Sequence, residues 1–230
     1  MHRRSGFTLV ELLVVLLIVG MLAAILTPVV MQSLAKARNA AIKAEIDMLH
    51  MAIMNYKNEY ASFPPCIDTA VGGGSGLVGR HVQRLFPRAS PAALPAGTDI
   101  NPATAIVGWL SGFTDNPVDP VGLSTGGKRN KLYDFDQARV VGMVYHPSQK
   151  PNAPYVYIDN THYVDGSGAA IAFAATGGPY SAVLVPSGGA FNPETFQILC
   201  AGRDEQWGTD DDLSNFWPGT RGEYLESLNK

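Results

Sequence analysis

The chain has 230 residues, of which 46% are hydrophobic and only 16% charged, with a formal net charge of −3. It is too apolar for a long disordered chain, has no basic excess for nucleic acid, and its two cysteines cannot build a disulfide scaffold or a four-thiolate zinc site. The 24 Gly and 16 Pro are unevenly spread, and residues 29–60 carry neither, so the composition is that of two regions joined end to end.

In chain order, Met1-His2-Arg3-Arg4-Ser5-Gly6 is short and basic, and Glu11 is then the sole charge between Ser5 and Ala35. Leu12–Met31 is an uninterrupted apolar run of 20 residues. As a helix it spans about 30 Å, the hydrocarbon thickness of a bilayer. It is longer than the apolar core of a secretory signal peptide and runs on into a helical pattern. A multi-span membrane protein is excluded, because no second segment of this kind exists. Glu11 is costly inside such a span, so it either sits at the headgroup boundary or pairs with a cation from another chain. Beyond the span, Ile42, Ile46, Leu49, Ile53, Tyr56 and Tyr60 recur at helical spacing, with Lys43, Glu45, Asp47, Lys57 and Glu59 distributed around them. The pattern predicts one helix from Phe7 to Tyr60, loosened at Pro28 and ended by Phe63-Pro64-Pro65.

The segment Ser5-Gly6-Phe7-Thr8-Leu9-Val10-Glu11-Leu12-Leu13 resembles the signal of type IV pilins and type II secretion pseudopilins: a basic leader ending in Gly, then Phe, then Glu in an apolar helix. Thr27-Pro28 falls where that family commonly has a proline, and Leu49–Pro65 is similar to a segment of the major pseudopilins. The resemblance implies an α+β, type IV pilin-like fold, with the long helix packed on an antiparallel sheet. It implies a leader over 1–6, a membrane and filament-core half over 7–31, a distal half over 32–65 and an extracytoplasmic head over 66–230. It further implies that a prepilin peptidase cuts between Gly6 and Phe7 and methylates the new amine of Phe7. The Glu11 carboxylate would then face the Phe7 amine of a neighbouring subunit as a filament assembles. The partners implied are further copies of the chain, other pseudopilins, an inner-membrane assembly platform, and membrane lipid before assembly. No nucleic-acid partner is expected.

In the head, Gly72–Gly76 reads as a surface loop, Leu77–Phe86 as a short helix, Pro87–Pro102 as a connection and Asp115–Pro120 as consecutive turns. Val140–Tyr145, Tyr155–Ile158, Ala170–Ala174, Tyr180–Val185 and Thr195–Cys200 are strand candidates, each bounded by turn residues. Asp159-Asn160-Thr161-His162 and Asp165-Gly166-Ser167-Gly168 bring Asp, His and Ser together in sequence, but without a nucleophile elbow, and His81, His146 and His162 lack a paired metal spacing. An enzyme is therefore not expected. Asp204, Thr209, Asp210, Asp211 and Asp212 form an acidic turn that is either a solvated loop or an oxygen-rich site for Ca²⁺. The stretch Leu199–Trp217 resembles the calcium loop of major pseudopilins, with Glu205 in place of the usual Gly and Phe216 inserted before Trp217. That likeness implies a structural Ca²⁺ held by Asp204, Thr209 and Asp211 or Asp212. Cys66 and Cys200 could form a disulfide or remain two buried thiols. The function expected is that of a pseudopilus subunit driving type II secretion. The alternatives are a pilin or minor pilin for adhesion, motility or DNA uptake, and a membrane-anchored calcium-dependent binding module that never polymerises.

Overall fold

The computed structural model describes residues 8–68, 76–90, 100–121, 128–148, 153–174, 178–185 and 188–228. The expected cleavage site at Gly6-Phe7 and most of the 72–76 loop lie outside them. The chain divides into two compact units, Met1–Ala40 and Ala41–Lys230.

Helix α1 covers Leu9–Tyr60 and continues through Pro28. In the first unit its apolar side chains from Leu9 to Leu34 are exposed. This part of the helix is long and apolar enough to cross a membrane. Pro28 has no N–H for the Ala24 carbonyl one turn back. One residue earlier, the Thr27 hydroxyl donates to the Ala23 carbonyl at 2.7 Å, a side-chain bond that satisfies backbone beside the gap.

In the second unit the same helical period meets protein. Ile42, Ile46, Leu49, Ala52, Ile53 and Tyr56 are buried. They pack into one core with Trp109, Leu110, Tyr155, Tyr157, Phe196 and Ile198. Each such aliphatic side chain removed from water contributes about 1.5–3 kcal/mol. Two short helices follow, α2 (Leu77–Leu85) and α3 (Ala105–Leu110). The strands are β1 (Phe113–Thr114), β2 (Arg129–Asn130), β3 (Val140–Val141), β4 (Val144–Tyr145), β5 (Val156–Asp159), β6 (Ala172–Phe173), β7 (Tyr180–Ser181), β8 (Phe196–Cys200) and β9 (Leu213–Ser214). Helix α4 (Arg221–Leu228) closes the described chain. Among the described residues the strands form one three-stranded sheet, β5-β8-β9, and three two-stranded ladders, all antiparallel. A long amino-terminal helix followed by antiparallel sheets is the α+β, type IV pilin-like architecture that the resemblance implies.

The details differ from the sequence reading at one strand and in two added helices, and of the two readings of the cysteines the structure has the buried thiols. Val140–Tyr145 is a hairpin rather than one strand: Gly142 and Met143 both take positive φ, at 56° and 65°, which reverses the chain between Val141 and Val144. Helices α3 and α4 were not expected. Cys66 and Cys200 are both buried and unbridged. The Cys66 amide donates to Asp159 Oδ2 at 2.7 Å, and Asp159 pairs with Phe196 at one end of the β5-β8 ladder. Cys200 lies four residues farther along β8, about 13 Å away at strand rise. A disulfide needs Cα atoms within about 7 Å.

Glu45, expected among the surface charges around the helix, is instead only 9% exposed, beside Ile42, Ile46 and Leu49. Four donors meet its carboxylate. Arg139 Nη1 reaches Oε2 at 3.0 Å and Arg139 Nη2 reaches Oε1. The hydroxyls of Tyr145 and Tyr155 donate to Oε1 and Oε2, each at 2.6 Å. Removing one partner of such a pair leaves the other charge buried and uncompensated, which costs about 3–5 kcal/mol. Glu45→Ala is expected to lose about that much in chemical denaturation of the detergent-solubilised chain, and Glu45→Gln less, because an amide still accepts from the tyrosines. A loss under about 1 kcal/mol for Glu45→Ala would contradict this account.

Candidate functional site: assembly helix and acidic loop

At the start of α1, Thr8 and Glu11 cap the helix reciprocally. The Thr8 amide and hydroxyl each donate to Glu11 Oε2 at 2.8 Å, and the Glu11 amide donates to Thr8 Oγ1 at 3.2 Å. Thr-x-x-Glu is the capping-box spacing, and it places a carboxylate where helix amides lack partners. The carboxylate at the edge of the apolar run thus has a partner within its own chain, an option beside the headgroup and intersubunit ones.

The carboxyl-terminal acidic turn lies between β8 and β9, where the chain leaves the sheet and returns to it. Its tightness comes from Gly202, at φ +65°, where a Cβ would stand 2.3 Å from the Asp211 carbonyl oxygen. Asp211 Oδ2 then accepts the amides of Arg203 at 2.6 Å and Asp204 at 3.1 Å, and Asp212 Oδ2 accepts the Gly208 amide at 2.7 Å. The Thr209 hydroxyl lies 2.8 Å from Asp211 Oδ1, 3.4 Å from Asp212 Oδ1 and 3.2 Å from the Gln206 carbonyl oxygen. Asp204 Oδ1 is used by the Gln206 amide at 2.8 Å. The side chain of Asp210 lies against Gly222, and its carbonyl accepts the Gly222 amide at 2.7 Å. Of the five residues singled out in sequence, Thr209, Asp211 and Asp212 converge, Asp204 flanks them and Asp210 faces α4.

Electrostatics separate the two converging carboxylates. Burial pushes Asp211 up, but the bonds from Thr209, Arg203 and Asp204 outweigh it and hold the group below the usual carboxylate range. Asp212 is pushed up to about 7, first by burial and then by the charges of Asp211 and Asp204, against the Gly208 amide and Arg221. Glu205, in the place of the usual Gly, takes φ +61°, the left-handed conformation in which glycine is unstrained.

A second polar cluster, which joins Cys66 to the Asp159–His162 stretch that the sequence reading set aside, lies where α1 hands over to the head. Asp159 Oδ1 accepts the Thr161 amide at 3.0 Å, and both Asp159 oxygens lie 3.0 Å from His162 Nδ1. With the Cys66 amide also bound to Asp159, the ligand atoms of Cys66, Asp159 and His162 all fall within 4.8 Å of one another. Burial raises the Asp159 carboxyl, but the bonds and charge of His162 with those from Thr161 bring it to about 2, while burial pushes the Cys66 thiol well up. The only signal in the sequence was the spacing of three between Asp159 and His162.

With the fold and these sites in view, the known proteins that resemble the chain can be placed. Residues 1–27 match the family described as the prokaryotic N-terminal methylation motif, so this segment is that of a prepilin-type protein. Over 63 residues, 27% of this chain and 44% of the relative, the chain is 39% identical to the type II secretion system core protein G of Pseudomonas aeruginosa. Over 91 residues, 40% of this chain and 59% of the relative, it is 32% identical to a fimbrial protein of Moraxella nonliquefaciens. The matches span about half the length of these curated relatives. No solved structure matches the chain significantly.

Gly202→Ala should open the acidic turn, since it adds left-handed strain of about 1–2 kcal/mol to a clash with backbone. Thermal denaturation should register a total loss of roughly 2 kcal/mol or more, with faster amide exchange at Arg203 and Asp204. Unchanged exchange at those amides would show that the turn does not depend on the close approach.

Proposed function

We propose that this chain is a structural subunit of a pseudopilus that serves type II protein secretion. The observation that carries the reading is the methylation motif at residues 1–27, joined to a 39% likeness to a type II secretion core protein. In this reading a prepilin peptidase cuts between Gly6 and Phe7, and the exposed apolar half of α1 rests in the inner membrane before it becomes filament interior. Arg3 and Arg4 favour a cytoplasmic amino terminus, with the head on the periplasmic side. The assembly platform and other pseudopilins are then its partners. Glu11 would exchange its Thr8 cap for the Phe7 amine of a neighbour. In the low dielectric of a helix bundle that attraction is strong, and it selects one axial stagger. A pilin reading is favoured by the longer match to a fimbrial protein. Deleting the chain separates the two, by loss of secretion or loss of surface pili.

Glu11→Ala is expected to leave cleavage intact and to reduce filament yield at least tenfold, scored by imaging cells that overexpress the chain with and without the peptidase. Filaments at normal yield would overturn the role given to Glu11.

The acidic turn would hold a structural Ca²⁺. The donors converging there are all oxygen, from two carboxylates, a hydroxyl and a carbonyl, which suits a hard cation. Calcium would neutralise like charges and tie the last loop to β8 and β9. At a hundredfold excess over its dissociation constant it should stabilise the full chain by about 2.7 kcal/mol. Asp211→Asn and Asp212→Asn should each abolish the gain, and a melting temperature indifferent to Ca²⁺ would refute the site.

A further inference from the structure

We propose that Cys66, Asp159 and His162 form a binding site for a divalent transition metal of the zinc class. Two parts of the fold deliver the donors: Cys66 follows the Pro64-Pro65 stop of α1, while Asp159 ends β5 and caps the 3-10 turn Asn160–His162 that His162 closes. Their ligand atoms fall within 4.8 Å of one another, and Cys66 and Asp159 are 0% and 4% exposed. Zinc binds sulfur at about 2.3 Å and nitrogen or oxygen at about 2.0–2.2 Å, so the donors need to close by only about 1 Å.

The arrangement is held from behind. The Tyr157 hydroxyl donates to the Pro64 carbonyl at 2.8 Å, and Trp109 Nε1 donates to the Pro65 carbonyl at 2.9 Å. Both peptide groups before Cys66 are thereby pinned to the core. Asp159 is fixed by the amides of Cys66 and Thr161. Positioning of ligands by such outer bonds is what metal sites require. A cleft of about 470 Å³, with Asp159 and His162 in its wall, gives access and room for a water as fourth ligand.

The donor set chooses the metal. One thiolate, one imidazole and one carboxylate suit zinc, whereas calcium takes oxygen alone. On binding, the Cys66 S–H bond breaks, its proton leaves to solvent and the sulfur pair goes to the metal, with no change of oxidation state. The metal would latch the end of α1 to the rim of the β5-β8-β9 sheet.

The full chain, purified in detergent and stripped with chelator, is titrated with Co²⁺ and then Zn²⁺. The expected result is one equivalent per chain, a thiolate-to-cobalt charge-transfer band, and displacement of Co²⁺ by Zn²⁺. Cys66→Ser should abolish the band, and His162→Ala should weaken Zn²⁺ binding at least tenfold. Absence of saturable binding, or binding indifferent to Cys66→Ser and His162→Ala, would overturn the site. Should those variants fail to fold, X-ray absorption of the zinc-loaded unmodified chain decides: one sulfur beside nitrogen and oxygen supports the site, and a shell without sulfur refutes it.

Discussion

A carboxylate enters an apolar seam only when its charge is met on every side, and Glu45 is met by Arg139, Tyr145 and Tyr155. This compensation constrains the head more than any single apolar contact. Hydrophobic burial is non-directional and tolerates a helix turned or slid by part of a turn. A buried ion pair does not, because a displaced carboxylate is left without partners in low dielectric. Arg139 also lies over the Tyr145 ring, 4.5 Å from its centroid, so the cation is held by the residue that shares its anion. Asp136 caps the turn that carries Arg139, by accepting the Ala138 amide at 3.1 Å. The register of α1 within the second unit follows from this group.

The same helix presents one periodicity to two environments. Between Ile42 and Tyr56 the seam Ile42, Ile46, Leu49, Ala52, Ile53 and Tyr56 is buried by the head together with Glu45, while Met48 and Met51 on the other side stay exposed. Between Leu9 and Leu34 apolar residues occupy every face and all are exposed in the chain by itself. A helix that is hydrophobic all round is stable only in lipid or among other helices. That requirement, together with the methylation motif at residues 1–27, ties the first unit to a membrane before any statement about a filament is needed.

Much of this was legible in sequence because it is local. The helical seam, its stop at Phe63-Pro64-Pro65, the short helix at Leu77 and the strand at Phe196–Cys200 follow from period and punctuation. What escaped is non-local. Glu45 reads as one more surface charge until Arg139 and Tyr155, 94 and 110 residues away, are brought to it. Cys66 and Asp159 meet across 93 residues, and the same meeting places Cys66 at the wrong end of the β5-β8 ladder for Cys200. The hairpin at Gly142-Met143 escaped for a different reason. Methionine is an unusual residue at positive φ, so a β-rich run around it reads as a continuous strand.

The ties between α1 and the rest of its unit form a series along the helix, with Lys43 and His50 on one face and Glu45 and Tyr56 on the other. Lys43 Nζ donates to the Ser214 carbonyl at 3.0 Å, Glu45 receives its four donors, His50 Nδ1 lies 3.0 Å from Asn215 Nδ2, and the Tyr56 hydroxyl lies 2.8 Å from His81 Nε2. They span about 20 Å of helix axis. Each joins the helix to a different part of the head: the return strand β9, the β3-β4 hairpin, the residue after β9, and α2. A head with short strands and long connections has little regular backbone bonding with which to hold its own shape. These side-chain bonds supply the directionality its ladders lack, and they supply it at the helix. Any load applied along α1 is therefore borne at four heights rather than at one end. That is the arrangement to expect if the helix, rather than the sheet, is the element by which this protein is moved.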